Sequence, residues 1–279
     1  MDAKGVTRAL ERVGAEHVLA ATNLVRTGRV YDLGLDLNSS VPQGPSGEFD
    51  PFSFRWVHLP EPGHEGLYQY AAESVGGTPH IGTHIDGLMH ATSGMTMFGG
   101  CDFTEVFSAD GFKSDGIGSV APIVTRAVVL DIAARVADPL PDGYEVGVRD
   151  LEGAARDQKV QLRPGDAVLV RTGKVREYGV DNEAYQRAQP GVGVDAAIWL
   201  FDRGMAVLGT DTTGTEPLPF TDPGRTTHQA MLVERGVHLI ENLNLEEVGR
   251  DEVSEAMFVC LPLRLTGASG SWVRPIAIV

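Results

Sequence analysis

Four side chains that can bind a metal ion lie within eleven positions in the run PHIGTHIDGLMH: His80, His84, Asp86 and His90. Imidazole and carboxylate groups at this density suit a divalent transition metal. Two histidines and one aspartate would leave open coordination positions for water, which is the pattern of a catalytic rather than a structural metal site. The run therefore predicts a metal-dependent hydrolytic centre, and histidines clustered by accident are the weaker alternative.

The spacing of these four residues requires a bent backbone. On a straight helix His80 and His84 share one face, whereas Asp86 and His90 point to roughly the opposite side. An extended strand puts all four on one face but spreads them over about 33 Å. Glycines at positions 82 and 87 permit bends inside the run. We therefore expect a turn or irregular strand that curls around an ion.

The elements that must position this run indicate a mixed α/β protein. Residues 30–41 alternate like a strand that leads into a turn, and short apolar segments predict further strands at 127–133, 166–173, 205–212, 237–243, 257–265 and 272–279. Helices are expected at 8–26, 148–158, 181–188, 193–203 and 225–235. Because the chain has no evident repeat or linker, we expect a single domain over residues 1–279, with an N-terminal helix at about 8–26 followed by the core.

Two further regions carry candidate substrate contacts. Residues 42–66 are rich in proline, glycine and aromatic residues, which predicts a long ordered loop. Phe54 and Trp56 in this loop could stack on an aromatic substrate, and loop packing or a dimer contact is an equal alternative. Asp211 ends the predicted strand 205–212 and could line the active site or cap a turn.

Composition excludes several classes of function. The formal net charge of −15 disfavours nucleic acid and anionic membranes as partners. No apolar run approaches the about 18 residues of a membrane span, and the N-terminal segment lacks the apolar core of a signal peptide. The two cysteines, Cys101 and Cys260, have no partner at metal-ligand spacing. We expect both to be free and buried in a cytoplasmic protein that acts on a small molecule.

The chain resembles the cyclase family of metal-dependent hydrolases, which includes bacterial kynurenine formamidase and isatin hydrolase. The hallmark of that family is H-x-G-T-H-x-D-x-x-x-H, and residues 80–90 match every fixed position. Similar stretches occur at 30–33, 165–173, 208–212, 228–243 and 267–279. One departure is Leu88, where many members of the family carry proline.

The resemblance implies a swivelling β/β/α fold around a closed mixed β-barrel, in homodimers or homotetramers. It implies that His80, His84 and Asp86 bind the metal and that His90 is the catalytic acid/base.

The resemblance also leaves the number of ions open. His228 and Glu241 match positions that hold a second metal in the formamidase branch, where the aspartate bridges the two ions. In the isatin hydrolase branch a single manganese suffices, and the position of Glu241 is not a carboxylate. Read without the resemblance, His228 could be a solvent-exposed helix residue and Glu241 a strand-end acid in water. One or two ions of Mn²⁺ or Zn²⁺ per chain are therefore expected, since His/carboxylate sites accept both metals.

Three functional hypotheses follow. The leading one is a hydrolase that uses metal-activated water to cleave the C–N bond of an amide, formamide or lactam in a small aromatic substrate. The second is a metal-dependent cyclase, dehydratase or lactonase in a biosynthetic pathway. The third is a metal-containing binding protein without catalysis.

Overall fold

The computed structural model describes residues 7–43, 50–64 and 66–279. Its strands, in chain order, are β1 (Val30–Asp32), β2 (Ser53–His58), β3 (Ala72–Gly76), β4 (His84–Asp86), β5 (Phe107–Ser108), β6 (Gly111–Phe112), β7 (Ile123–Asp131), β8 (Glu145–Val146), β9 (Ala167–Arg171), β10 (Gly191–Val192), β11 (Val207–Thr210), β12 (His238–Glu241), β13 (Glu255–Cys260), β14 (Gly270–Trp272) and β15 (Ile276–Ile278).

The α-helices are α1 (Ala15–Thr22), α2 (Phe103–Val106), α3 (Ile132–Arg135), α4 (Val148–Asp157), α5 (Asn182–Arg187), α6 (Val194–Asp202) and α7 (Glu246–Arg250). A π-helix spans Gln229–Val233, and 3₁₀ turns occur at Ala9–Arg12, Phe98–Gly100, Ile117–Ser119 and Lys174–Glu177.

Nine strands form one mixed sheet in the order β1-β15-β13-β7-β9-β11-β12-β4-β14. The central strands β7, β9, β11 and β12 are parallel, and the strands that flank them pair antiparallel. This arrangement confirms the mixed α/β class. It also places β4, which carries two of the candidate ligands, directly between β12 and β14.

The sheet must curl strongly because of how β14 connects to β15. These strands are ninth and second in the order, so a flat sheet would separate them by about 34 Å. The intervening residues 273–275 let the chain reach only about 14 Å from Trp272 to Ile276. Accordingly, the segments that follow β1 and β14 meet at Thr83, where Leu35 N donates to Oγ1 (2.8 Å) and Val273 N donates to the carbonyl (3.1 Å).

The expected closed barrel is not what the described residues form. Among them, β1 and β14 have no ladder of hydrogen bonds with each other, so the sheet is a curled half-barrel with two edges. The short connection through residues 273–275 brings the edges near each other without pairing them.

Each face of the sheet covers its own apolar core, because successive side chains of a strand point to opposite faces. Val128, Val168 and Leu208 face the layer that contains helices α4 and α6. Their neighbours on the same strands, such as Val129 and Leu169, face the inside of the curl.

Several predicted elements differ from the structure, and the strand expected at 272–279 is divided between the end of β14 and β15. The helix expected at 8–26 is a 3₁₀ turn followed by the shorter helix α1, because Gly14 is extended at the junction and begins the second helix as its N-cap. The loop expected at 42–66 contains strand β2, which pairs with β3 in an exposed hairpin. Alternating aromatic residues favour an extended strand here. Residues 44–49 and 65 of that loop lie outside the described part.

No helix in the described part of the chain is both long and apolar enough to cross a membrane. Both cysteines are free, with Cys260 buried and Cys101 partly exposed.

Arg171, at the end of β9, ties several loops to the sheet. Its guanidinium is buried and donates to Asp131, Asp138 and Glu246. We expect Arg171→Ala to lower the free energy of unfolding by about 3 kcal/mol, because it removes the buried cation of Asp131 and leaves Asp138 and Glu246 with Arg176 alone. The control is Arg274→Ala, which removes an exposed pair with Asp32 and should lower the stability far less, because solvent screens such pairs. Urea denaturation that gave equal losses for both variants would contradict this role.

Candidate metal centre

The bend required by the sequence is centred on Gly82. Its φ of +59° lies in the left-handed region, which glycine adopts without the strain of a Cβ. Gly87 is needed for a different reason, since a Cβ there would lie 2.6 Å from the carbonyl oxygen of Ser269. The backbone therefore turns before β4, and after β4 it packs closely against the segment of the same chain at Ser269.

His80, His84 and Asp86 converge at one point. Asp86 Oδ1 lies 2.8 Å from His80 Nδ1 and 3.5 Å from His84 Nε2. Atoms bound at 2.0–2.2 Å to one tetrahedral ion are about 3.3–3.6 Å apart, so this spacing is close to that of a coordination shell. The other ring nitrogens are engaged, with His84 Nδ1 donating to the Gly82 carbonyl (2.8 Å) and His80 Nε2 lying 2.9 Å from Ser269 Oγ. These partners leave one nitrogen of each ring directed at Asp86.

A second set of side chains surrounds the other oxygen of Asp86. His228 Nε2 lies 3.4 Å from Asp86 Oδ2 and 3.4 Å from Glu241 Oε1. Glu241 is aligned opposite His84 in the β12–β4 ladder, and its Oε2 lies 3.4 Å from His84 Nε2. The carboxylate of Asp86 thus directs one oxygen to each set, as a ligand that bridges two ions would.

The chemistry of the donors fits divalent cations. Asp86 Oδ2 is buried and has no hydrogen-bond donor, which is costly for a charged oxygen unless a cation is bound. Although burial opposes ionisation, the neighbouring imidazoles hold the pKa of Asp86 well below its usual range. Asp86, Glu216 and Glu241 bring three carboxylates into one buried cluster with His228.

His228 lies at the start of a distorted helical turn. Residues 227–235 are helical, and the π-helix Gln229–Val233 begins directly after the histidine. Such wide turns are frequent at functional sites, because they redirect side chains relative to a regular helix. Burial lowers the pKa of His228, but attraction by Glu216 and Glu241 outweighs it and raises the pKa well above the ordinary value. Metal binding at Nε2 would therefore release a proton.

His90 lies beside the first set without joining it. Its ring stacks on His80 with a centroid separation of 3.8 Å, and its Nε2 is 3.9 Å from Asp86 Oδ2. One nitrogen of His90 also lies within 4.8 Å of donor atoms of Asp86 and His228, so the geometry alone allows it as a ligand. Burial away from solvent lowers the pKa of His90 to about 3, so its imidazole is uncharged near neutral pH.

A cavity of about 300 Å³ opens above the two sets. His90, His228 and Glu241 lie in its wall, Leu218 and Phe220 supply apolar surface, and Gln189 and Thr213 supply polar groups. Its volume is at the lower end of the range for small-molecule sites.

The structure does not place the three candidate substrate contacts in this cavity. Asp211 is fully buried, and its carboxylate accepts hydrogen bonds from the amides of Thr172 and Gly173 and the hydroxyl of Thr172. It therefore fixes the loop after β9, in keeping with the turn-capping alternative, and it does not line the cavity. Phe54 and Trp56 are half exposed on the β2–β3 hairpin and contact each other. They do not line the cavity of their own chain.

Sequence reasoning missed two residues of the centre. Glu216 Oε2 lies 2.5 Å from His228 Nδ1, and Thr215 Oγ1 donates to Glu241 Oε1 at 2.8 Å. Both lie in the run GTDTTGTE, where only Asp211 had been selected. The abundance of hydroxyl and carboxyl groups after a buried strand was the available signal, but which of them face the metal ligands depends on the tertiary fold.

Fold and site together define a class of protein: a mixed α/β chain whose curled sheet carries a buried His/carboxylate centre suited to divalent metal. Residues 31–217, more than half of the chain, match the model of the Cyclase family. The chain belongs to this family.

Curated relatives align with nearly the whole chain. The kynurenine formamidase of Bacillus thuringiensis subsp. konkukian (strain 97-27) is 28% identical over 254 residues, covering 90% of this chain and 98% of that protein. The kynurenine formamidase of Bordetella avium (strain 197N) is 26% identical over 251 residues, covering 89% and 97%.

Solved structures share the fold. A crystal structure described as a novel cyclase superposes with a TM-score of 0.89 at 26% identity, covering 98% of this chain and 94% of that one. Isatin hydrolase A from Ralstonia solanacearum superposes with a TM-score of 0.71 at 24% identity, covering 93% of each chain. At the latter identity the likeness concerns the fold alone.

Proposed function

We propose that this chain is a metal-dependent hydrolase that cleaves the C–N bond of an amide, formamide or lactam in a small aromatic substrate. The observation that carries the proposal is the carboxylate of Asp86, which directs Oδ1 to His80 and His84 and leaves buried Oδ2 without a donor beside His228. The names of the relatives, kynurenine formamidase and isatin hydrolase, support this class of reaction.

In this proposal His80, His84 and Asp86 hold one divalent ion, and Asp86, His228 and Glu241 hold a second. A bound divalent ion supplies a Lewis acid and lowers the pKa of water toward neutrality. Either Mn²⁺ or Zn²⁺ satisfies imidazole and carboxylate donors. Glu241 is preferred to His90 as the final ligand of the second set because its Oε1 lies 3.4 Å from His228 Nε2 and its Oε2 lies 3.4 Å from His84 Nε2.

His90 moves the proton. Its uncharged imidazole accepts a proton as water attacks the carbonyl carbon, and then delivers it to the departing nitrogen as the C–N bond breaks. The products are a carboxylate, an amine and one proton, which is released to solvent or taken up by the amine, so atoms and charge balance with one water consumed. Stacking on His80 orients the ring next to Asp86, on the wall of the cavity.

The cavity favours a planar, mostly apolar substrate of limited size. Phe220 is about half exposed at the cavity, where its ring could cover one face of an aromatic substrate. Gln189 and Thr213 lie on the polar wall and offer positions for a carbonyl or carboxylate group.

A substrate screen tests this proposed function. Protein freed of metal by chelation should be inactive, and addition of Mn²⁺ or Zn²⁺ should restore hydrolysis of N-formylkynurenine or isatin in preference to simple lactones. Faster turnover of lactones than of both nitrogen substrates would instead favour the lactonase alternative. Metal binding without turnover of any of these compounds would contradict the proposed C–N hydrolase.

The exposed hairpin supports an oligomer as a further part of the proposal. Eight large apolar side chains of residues 54–75 are at least half exposed: Phe54, Trp56, Val57, Leu59, Leu67, Tyr68, Tyr70 and Val75. Together they present on the order of 800 Å², which is comparable to one side of a standard protein interface. A second copy of this chain is the proposed partner, in a dimer or tetramer.

We expect the double variant Phe54→Ser/Trp56→Ser to shift the protein toward monomer, because it removes two aromatic side chains from this surface. The matched control is Val180→Ser, at another strongly exposed apolar position outside the hairpin. Light scattering coupled to gel filtration measures the mass. A monomeric wild type, or the same mass in the double variant, would contradict the interface.

A further inference from the structure

We infer that Thr215 and Glu216 form a dedicated outer shell for the second metal ion, and that they determine whether the centre holds two ions or one. This inference rests on the proposed two-ion centre. The two residues are adjacent in sequence, and each contacts a different ligand of the second set.

Each contact fixes a ligand atom. The Thr215 hydroxyl donates to Glu241 Oε1 at 2.8 Å, and its side chain is fully buried. Glu216 Oε2 accepts from His228 Nδ1 at 2.5 Å, which leaves Nε2 directed toward Asp86 and Glu241. A carboxylate on the far nitrogen of a metal-binding imidazole fixes the tautomer and increases its basicity as a ligand.

The loop that carries Thr215 and Glu216 is itself held rigidly by Gln189. The buried amide of Gln189 accepts from the N–H groups of Thr213 and Gly214 and donates to the carbonyls of Gly214 and Glu216. One side chain thus satisfies four backbone groups within four residues. A loop fastened in this way can hold two outer-shell groups in a defined position, as a preorganised site requires.

The first set uses separate partners. His84 donates to the Gly82 carbonyl, and His80 contacts Ser269, which lies just before β14. The side chains of Thr215 and Glu216 instead contact Glu241 and His228, the ligands of the second set. Changes at 215 and 216 should therefore act on the second ion while leaving the first in place.

The expected effect follows from outer-shell substitutions at other metal sites, which lower metal affinity by 10–100-fold. We expect Glu216→Gln to lower the affinity for one of the two ions by about 10-fold. The amide oxygen can still accept a hydrogen bond from His228, but it carries no charge. Glu216→Ala also removes the hydrogen-bond acceptor and should lower the affinity for that ion by about 100-fold. Thr215→Val, which has nearly the same shape, should fall in the same range.

Isothermal titration of metal-free protein with Mn²⁺, with elemental analysis after dialysis, measures each ion without relying on activity. Wild type should bind two ions, and each variant should bind one normally and one weakly. The ion retained by Glu216→Gln should have the affinity of the single ion in His228→Ala. High Mn²⁺ should restore the second ion. Ser269→Ala should give the opposite pattern, and Thr221→Val, an exposed threonine of the neighbouring loop, should match wild type.

The outcomes separate this inference from the proposed function. Two ions with unchanged affinities in Glu216→Ala and Thr215→Val would overturn the outer-shell role while leaving the two-ion hydrolase intact. Parallel weakening of both ions with a lower melting temperature would show a merely structural role and overturn it too. A wild type that binds one ion, or none, would overturn the inference together with the two-ion centre.

Discussion

Asp86→Asn is expected to empty the whole centre, lowering the affinity for both ions by more than about 100-fold and abolishing hydrolysis. The reason is that Asp86 belongs to both proposed ligand sets, since its Oδ1 lies 2.8 Å from His80 and its Oδ2 lies 3.4 Å from His228. Loss of an outer-shell group already costs 10–100-fold in affinity, so neutralising a shared ligand should cost more. The shape of the side chain is kept, so the fold should persist.

Elemental analysis and circular dichroism of the purified variant check this expectation. The matched control is Asp211→Asn, which changes another fully buried aspartate that contacts Thr172 and Gly173 instead of the ligands. That variant should lose stability but keep its metal. Retention of two tightly bound ions in Asp86→Asn would contradict the bridging role.

His90→Ala is expected to keep both ions and to lose about 10²–10⁴-fold in kcat, the usual contribution of a general acid/base. His90 stacks on His80 and borders the cavity, but its Nε2 is 3.9 Å from Asp86 Oδ2, farther from Asp86 than the nitrogens of His80, His84 and His228. Removing it should eliminate proton transfer and leave the donors in place.

Single-turnover kinetics and metal content should be measured on the same preparation of His90→Ala. A control at His64→Gln, an exposed histidine of the hairpin connection, should retain wild-type kcat. Loss of one ion would make His90 a ligand, as its distance to Asp86 and His228 geometrically permits. Full activity would instead rule out its role in proton transfer.

Local sequence patterns were sufficient to predict the ligand run and much of the secondary structure. Ligand spacing required a bend, and Gly82 provides it with a positive φ. The parallel strands β9, β11 and β12 lie inside the predicted segments, because buried strands are short apolar runs with clear ends.

Local sequence patterns could not predict which residues distant in sequence would lie next to each other. Nothing near Glu241 in sequence shows that it is aligned opposite His84, since that register is formed between strands more than 150 residues apart. The same holds for Glu216, whose partner is a histidine on a distorted helix. Whether the sheet closes likewise depends on which strands form its edges, and the hairpin depends on the pairing of β2 with β3. Neither is determined by a local pattern.

Hydrolysis is expected to require divalent metal at the Asp86 centre, and one titration tests this requirement most directly. Metal-free protein is titrated with Mn²⁺ while bound metal and the rate of hydrolysis of isatin or N-formylkynurenine are recorded together. We expect no hydrolysis without metal, and a rate that rises with occupancy until two ions are bound per chain. Hydrolysis that is undiminished in the metal-free protein, or a rate independent of occupancy, would contradict it.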